Sequence, residues 1–166
     1  GTITGNLNNI SYTTLINNVG GPMILSQATN EQSLDLYGDV DFSGLYTSSL
    51  NSYTLIRFVE NKGDIIYKNQ TVGQTNRIAG ISLSTNIDYL NVTYSGNIHI
   101  YNLVMQTNTT TEKQFYVAGF THTLSMNRII KNGLVSGEII VGGITTNTVN
   151  RTPQNNLFVG GFVNLN

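Results

Sequence analysis

The sequence predicts an all-β fold, a right-handed parallel β-helix (β-solenoid) with projecting polar loops. Three observations carry that expectation: two glycine marks that alternate along the chain, a residue bias toward strand, and a scarcity of charge. The first mark is a glycine, a polar or acidic residue and an aliphatic one, at Gly5-Asn6-Leu7, Gly38-Asp39-Val40, Gly63-Asp64-Ile65, Gly96-Asn97-Ile98 and Gly137-Glu138-Ile139. The second is an apolar residue, then Gly or Ala, then Gly, at Val19-Gly20-Gly21, Ile78-Ala79-Gly80, Val117-Ala118-Gly119 and Val159-Gly160-Gly161. Gly21, Gly80 and Gly119 stand 17, 16 and 18 residues before Gly38, Gly96 and Gly137. Self-similarity at such intervals marks stacked repeats, and glycine suits their corners because it tolerates close backbone approach. Taking each interval as about one winding gives roughly seven to nine coils, with the hand taken by analogy from known β-helices.

Composition points the same way. Only three alanines occur, while Val, Ile, Thr and Tyr abound, a bias toward strand and against helix. Charged residues make up 10% and the net charge is −1, so no basic surface exists to neutralise nucleic-acid phosphates or anionic lipid. Solubility rests instead on 23 Asn, 21 Thr and 12 Ser. Intracellular domains average about 25% charged residues, so this surface fits an extracellular or cell-surface setting. The absence of cysteine removes disulfides and thiolate metal sites. No apolar run is long enough to span a membrane as a helix, and no leader is visible.

Taken in order, Ile10 to Ile16 offers a strand before an Asn17-Asn18 turn and a Gly20-Gly21-Pro22 corner. Met23 to Leu25 reads as a short buried strand and Ser26 to Ser33 as a polar loop. Leu34, Leu36, Val40 and Phe42 alternate with polar residues across Gly38, as in half-buried strands. Ser43 to Ser52 is an excursion, and Leu55 to Val59 returns to the core. Further strands are expected at Ile65–Tyr67, Ile78–Leu83, Leu90–Tyr94, Ile98–Val104, Phe115–Phe120 and Ile129–Ile130, with loops at Thr107–Thr111 and Thr145–Asn156. Leu157 to Val163 forms a last apolar strand pair. A bare last rung would invite another chain, so residues 1–166 are expected to be one repeat domain, either a slice of a longer array or a filament subunit.

The apolar-Gly-Gly-apolar segment followed by Asn-x-Gly-x-Ile resembles the glycine-rich GLUG repeats of bacterial surface proteins, including adhesins and immunoglobulin A peptidase passengers. The matching residues are Val117–Phe120 with Asn132–Ile139, Ile78–Ile81 with Ser95–Ile98, and Val159–Phe162. The unit from Gly38 to Gly63 departs by showing only Arg57-Phe58-Val59, and Pro22 follows Gly21. The resemblance implies an extracellular β-helical stalk or adhesive surface and supplies no active-site residues.

Four groups merit weighing for chemistry. Asp35, Asp39 and Asp41 lie close in sequence, and paired carboxylates on one strand face suit Ca²⁺ or acid–base work. Asp39, however, sits at the position that Asn6, Asp64, Asn97 and Glu138 fill elsewhere, which favours a solvated corner. His99 and His122 lie in adjacent units, but a metal site needs three or four ligands. Tyr46, Tyr53, Tyr67, Tyr89, Tyr94, Tyr101 and Tyr116 could form an aromatic face for sugars, or cover the core with their rings. The five Asn-x-Ser/Thr sequons match the number chance produces in this composition. No Gly-x-Ser-x-Gly or phosphate loop is present.

The expectation is therefore a non-enzymatic structural or adhesive protein with no catalytic, cofactor or metal residues. Its partners would be copies or neighbouring repeats of itself stacked end to end, with glycans or host surface proteins as further candidates. Nucleic acid and membrane insertion are not expected. The alternatives are a phage tail-fibre or glycan-binding module, and a polysaccharide lyase or hydrolase on the same architecture.

Overall fold

The computed structural model describes residues 2–4, 10–17, 23–31, 33–37, 41–44, 54–68, 71–72, 75–83, 86–101, 103–106, 114–143, 145–147 and 156–163. Among them there are strands and turns but no helix. Two strands open the chain, β1 (Thr2–Thr4) and β2 (Ile10–Asn17). Four units then follow. The first holds β3 (Met23–Asn30), β4 (Leu34–Tyr37) and β5 (Asp41–Ser43). The second holds β6 (Thr54–Asn61), β7 (Ile65–Lys68), β8 (Thr71–Val72) and β9 (Asn76–Ala79). The third holds β10 (Ile87–Tyr94), β11 (Ile98–Tyr101), β12 (Val104–Gln106) and β13 (Gln114–Ala118). The fourth holds β14 (Ile130–Val135), β15 (Ile139–Gly142), β16 (Thr145–Asn147) and β17 (Asn156–Gly160).

Each strand pairs in parallel with its counterpart in the next unit, giving four sheets ordered β2-β3-β6-β10-β14, β1-β4-β7-β11-β15, β8-β12-β16 and β5-β9-β13-β17. The step between paired positions is 31, then 33, then 41 residues in the sheets of β3 and β4, and 36, 39 and 42 in the sheet of β5. One unit thus uses one glycine mark of each kind. The two marks are two corners of the same unit, so the expectation of seven to nine windings is replaced by four described units.

Register brings like residues over like. Leu34, Ile65, Ile98 and Ile139 form one inward column, and Phe42, Ile78 and Val117 another, with the half-exposed Val159 in register at its end. Ile56, Ile78, Ile98, Ile100, Phe115 and Phe120 are fully buried, each such side chain contributing about 1.5–3 kcal/mol relative to exposure. Phe120 stacks on Phe162 with centroids 4.6 Å apart, and Tyr89 meets Phe120 edge-on at 5.0 Å.

At the other edge the direction reverses. β2 pairs antiparallel with β3, and β1 antiparallel with β4. The expected Asn17-Asn18 turn and Gly20-Gly21-Pro22 corner lie, apart from Asn17 at the end of β2, outside the described residues. β3 also runs to Asn30, so the expected loop from Ser26 is a strand as far as that residue. Its polar residues are tolerated because they pair backbone to backbone with Arg57 and Glu60 of β6.

The first glycine mark is confirmed for three of its members. An added Cβ at Gly96 would overlap the Gly63 carbonyl oxygen, and one at Gly137 would overlap that of Gly96, so these three glycines form a column. Gly38 does not belong to it, because Leu34 stands opposite Ile65 and puts Ser33 in the place of Asp64. The second mark forms its own column, and the unit thought to lack it supplies Phe42-Ser43-Gly44. Phe42 pairs with Ile78, Ser43 pairs with Ala79, and the Gly44 N–H donates to the Ala79 carbonyl at 3.0 Å.

Candidate functional site

The long strand of each unit changes phase halfway. Along β6, Thr54, Ile56, Val59 and Asn61 are buried, so Arg57 and Phe58 both face outward. Phe58 takes φ 53°, and its register equivalents Gln27, Asn91 and Asn132 take 53°, 52° and 54°. A left-handed residue inserts one extra outward position and bends the strand around the core. Among residues with a side chain, asparagine is one of the few that visit that conformation readily, which explains Asn91 and Asn132. Asn132 Nδ2 donates to Asn91 Oδ1 at 2.8 Å, so the amides also tie neighbouring strands together. Phe58 is the exception, a bulky residue that is 50% exposed on this outer ridge. The partial signal for the ridge is the asparagine five residues before a corner glycine, present at Asn91 before Gly96 and Asn132 before Gly137 but replaced by Phe58 before Gly63.

A second ladder runs beside the Gly63 column. The Asp64 N–H donates to Ser33 Oγ at 3.0 Å, the Asn97 N–H to Asp64 Oδ1 at 2.7 Å, and the Glu138 N–H to Asn97 Oδ1 at 3.0 Å. The polar residues after Gly63 and Gly96 are thus acceptors for the next unit. That places the Asp64 and Asn97 side chains in a structural role.

The aspartate trio is divided between elements. Asp35 lies on β4 and Asp41 on β5, in different sheets, while Asp39 falls outside the described residues. Asp35 Oδ2 accepts from Lys68 Nζ at 3.0 Å. His99 lies on β11 opposite Ile66 and Ile140, so it does not face His122 across units. Its Nδ1 is 2.8 Å from the Tyr101 hydroxyl. His122 follows the Gly119 corner, buried against Tyr116, which stacks in turn on Phe158. No group of three or more His, Asp or Glu among the described residues could hold a metal ion.

The tyrosines sort mostly inward. Tyr67, Tyr89, Tyr94 and Tyr116 are buried and Tyr101 is exposed, while Tyr46 and Tyr53 lie outside the described residues. Burial leaves each hydroxyl needing a partner. The Tyr89 hydroxyl sits 2.6 Å from Ser82 Oγ, and Tyr94 donates to the Gly63 and Asn97 carbonyls at 3.3 and 3.1 Å. Burial, and secondarily the Asp64 carboxylate, raises the Tyr94 phenol above its ordinary value.

No protein-family model, curated protein or solved structure matches this chain. No helix among the described residues is long and apolar enough to cross a membrane. The geometry therefore offers two distinct surfaces: ladders that hold unit to unit, and the Gln27–Phe58–Asn91–Asn132 ridge that faces out.

Proposed function

We propose that the four units are successive coils of a right-handed β-solenoid, and that the chain is an extracellular structural or adhesive protein of the GLUG-like kind. One observation supports this above the others: side chains, corner glycines and backbone acceptors all recur in parallel register from unit to unit. Such a stack gains its core and hydrogen bonds by adding neighbours, which suits a stalk or an end-to-end fibre. Its work would be mechanical and multivalent. Rungs give stiffness, and outward residues meet partners repeatedly along the axis. The Asn- and Thr-rich, weakly charged composition supports display outside the cell.

A glycan-binding module on the same scaffold is the second reading, favoured by the exposed Phe58 beside uncharged amides. The lyase or hydrolase alternative draws no such support, since Asp35 is engaged by Lys68 and shares no sheet with Asp41. Display is the test of the main reading. Protease added to intact cells that make this chain should remove it, and an antibody should label it without lysis. A chain reached only after lysis would overturn the extracellular role.

A further inference from the structure

We infer that Phe58 is the stacking platform of a saccharide site, with the Asn91 and Asn132 amides as its hydrogen-bonding flank. The inference deepens the adhesive part of the function proposed above. Its first support is a mismatch between residue and backbone. At φ 53° a bulky side chain is a steric outlier, and Asn91 and Asn132 show the residue type that suits the position. An asparagine there would also meet Asn91 as Asn132 does. The fold thus holds a less suitable residue at its outer bend, and strain of this kind persists where a surface has another use.

The second support is what surrounds the ring. Phe58 is half exposed, and Asn91 stands one strand away with Asn132 beyond it, about 4.8 Å per step. The 2.8 Å bond between the two amides uses Asn132 Nδ2 and Asn91 Oδ1. Asn91 Nδ2 and Asn132 Oδ1, a donor and an acceptor, are engaged by no described residue. An aromatic face flanked by a donor and an acceptor matches a pyranose, whose C–H face is apolar and whose rim carries hydroxyls. A protein hot spot would want a wider apolar rim to exclude water, whereas the next residues along this column are amides. A nucleic-acid base could stack on the ring, but a chain of net charge −1 offers little to its phosphates.

The test compares wild type, Phe58→Asn, Phe58→Tyr and Asn91→Ala on a glycan array, with urea unfolding of each. Wild type should bind a subset of saccharides, and Phe58→Tyr should keep that pattern. Phe58→Asn should lose at least about tenfold in affinity while unfolding at the same or a higher urea concentration than wild type. Asn91→Ala should weaken binding to the same saccharides. Retention of no saccharide by wild type, or equal binding by Phe58→Asn, overturns the proposal. So does binding to cells that depends on Phe58 yet survives enzymatic deglycosylation, since the partner would then be a protein. Protease shaving of intact cells separates these failures from failure of the surface role: a chain that is displayed but binds no sugar keeps the structural reading and loses this site.

Discussion

Asp64 and Asn97 are joined side chain to backbone across adjacent units, with Asp64 Oδ1 accepting the Asn97 N–H at 2.7 Å and an Nδ2 hydrogen of Asn97 at 3.1 Å. The same bond recurs between Ser33 and Asp64 and between Asn97 and Glu138. A half-buried N–H stripped of its acceptor loses about 1–3 kcal/mol. Asp64→Ala is therefore expected to destabilise the fold by that amount, and Asp64→Asn, which keeps an oxygen, by less than half as much. Urea midpoints of the two variants check this, and equal losses would remove the ladder from the account.

The corner glycines separate into enforced and free positions. A Cβ at Gly119 would overlap the Gly161 carbonyl oxygen and one at Gly96 the Gly63 carbonyl oxygen, whereas Gly142 and Gly161 have nothing within 4 Å. Backbone cannot yield as a side-chain tip can. Gly96→Ala and Gly119→Ala should each cost about 3 kcal/mol, the upper part of the usual overpacking range. Gly142→Ala and Gly161→Ala should stay within about 0.5 kcal/mol of wild type. Thermal melts of the four variants decide it, and a uniform response would mean that contact between units does not set the glycines.

Those glycines also show what was legible in the sequence. Ile78-Ala79-Gly80, Val117-Ala118-Gly119 and Val159-Gly160-Gly161 stand in register as their likeness implies. Phe42-Ser43-Gly44 belongs with them but hid behind a serine, because the contact that matters is at the third residue, where a Cβ on Gly44, Gly80 or Gly119 would overlap a carbonyl oxygen of the next unit. Gly38 misled for the opposite reason. It carries the right neighbours, but pairing of Leu34 with Ile65 puts Ser33 opposite Asp64, so in this unit the acceptor position precedes Leu34 rather than following Gly38. Strand direction at β1 and β2 was not legible at all, since alternation of apolar residues is the same for parallel and antiparallel partners. The outer ridge stayed hidden because a left-handed residue is recognisable only once φ is known. Phe58 leaves no trace in an apolar pattern.

Gly133 occupies the inward position filled by Val92 in the unit before it. A Cβ there would come within 2.6 Å of Ile130 Cγ2 and 2.8 Å of Phe162 Cζ, both side-chain atoms that can move. Phe162 thus takes the volume that valine fills next door. Gly133→Ala should cost about 1–3 kcal/mol, and Phe162→Leu in the same chain should recover part of it. A double-mutant cycle by urea unfolding measures the coupling. Strictly additive losses would show that the two residues do not share the space.

Tyr94 gives the fold an alkaline limit. Its phenol is raised above the ordinary value by burial first and by the Asp64 carboxylate second, while in the unfolded chain it ionises near pH 10, or about that. Above that pH the unfolded state sheds a proton that the folded state keeps, so the unfolded state binds fewer protons and stability falls as pH rises. Below it both states are protonated and the contribution is whole. Tyr94→Phe removes the ionisation together with hydrogen bonds to the Gly63 and Asn97 carbonyls. The variant should be weaker than wild type by about 1 kcal/mol at pH 7, with the gap narrowing as pH passes about 10. Urea midpoints measured from pH 7 to 11 test the sign. Curves that stay parallel across that range would mean the buried phenol ionises as readily in the folded chain as in the unfolded one.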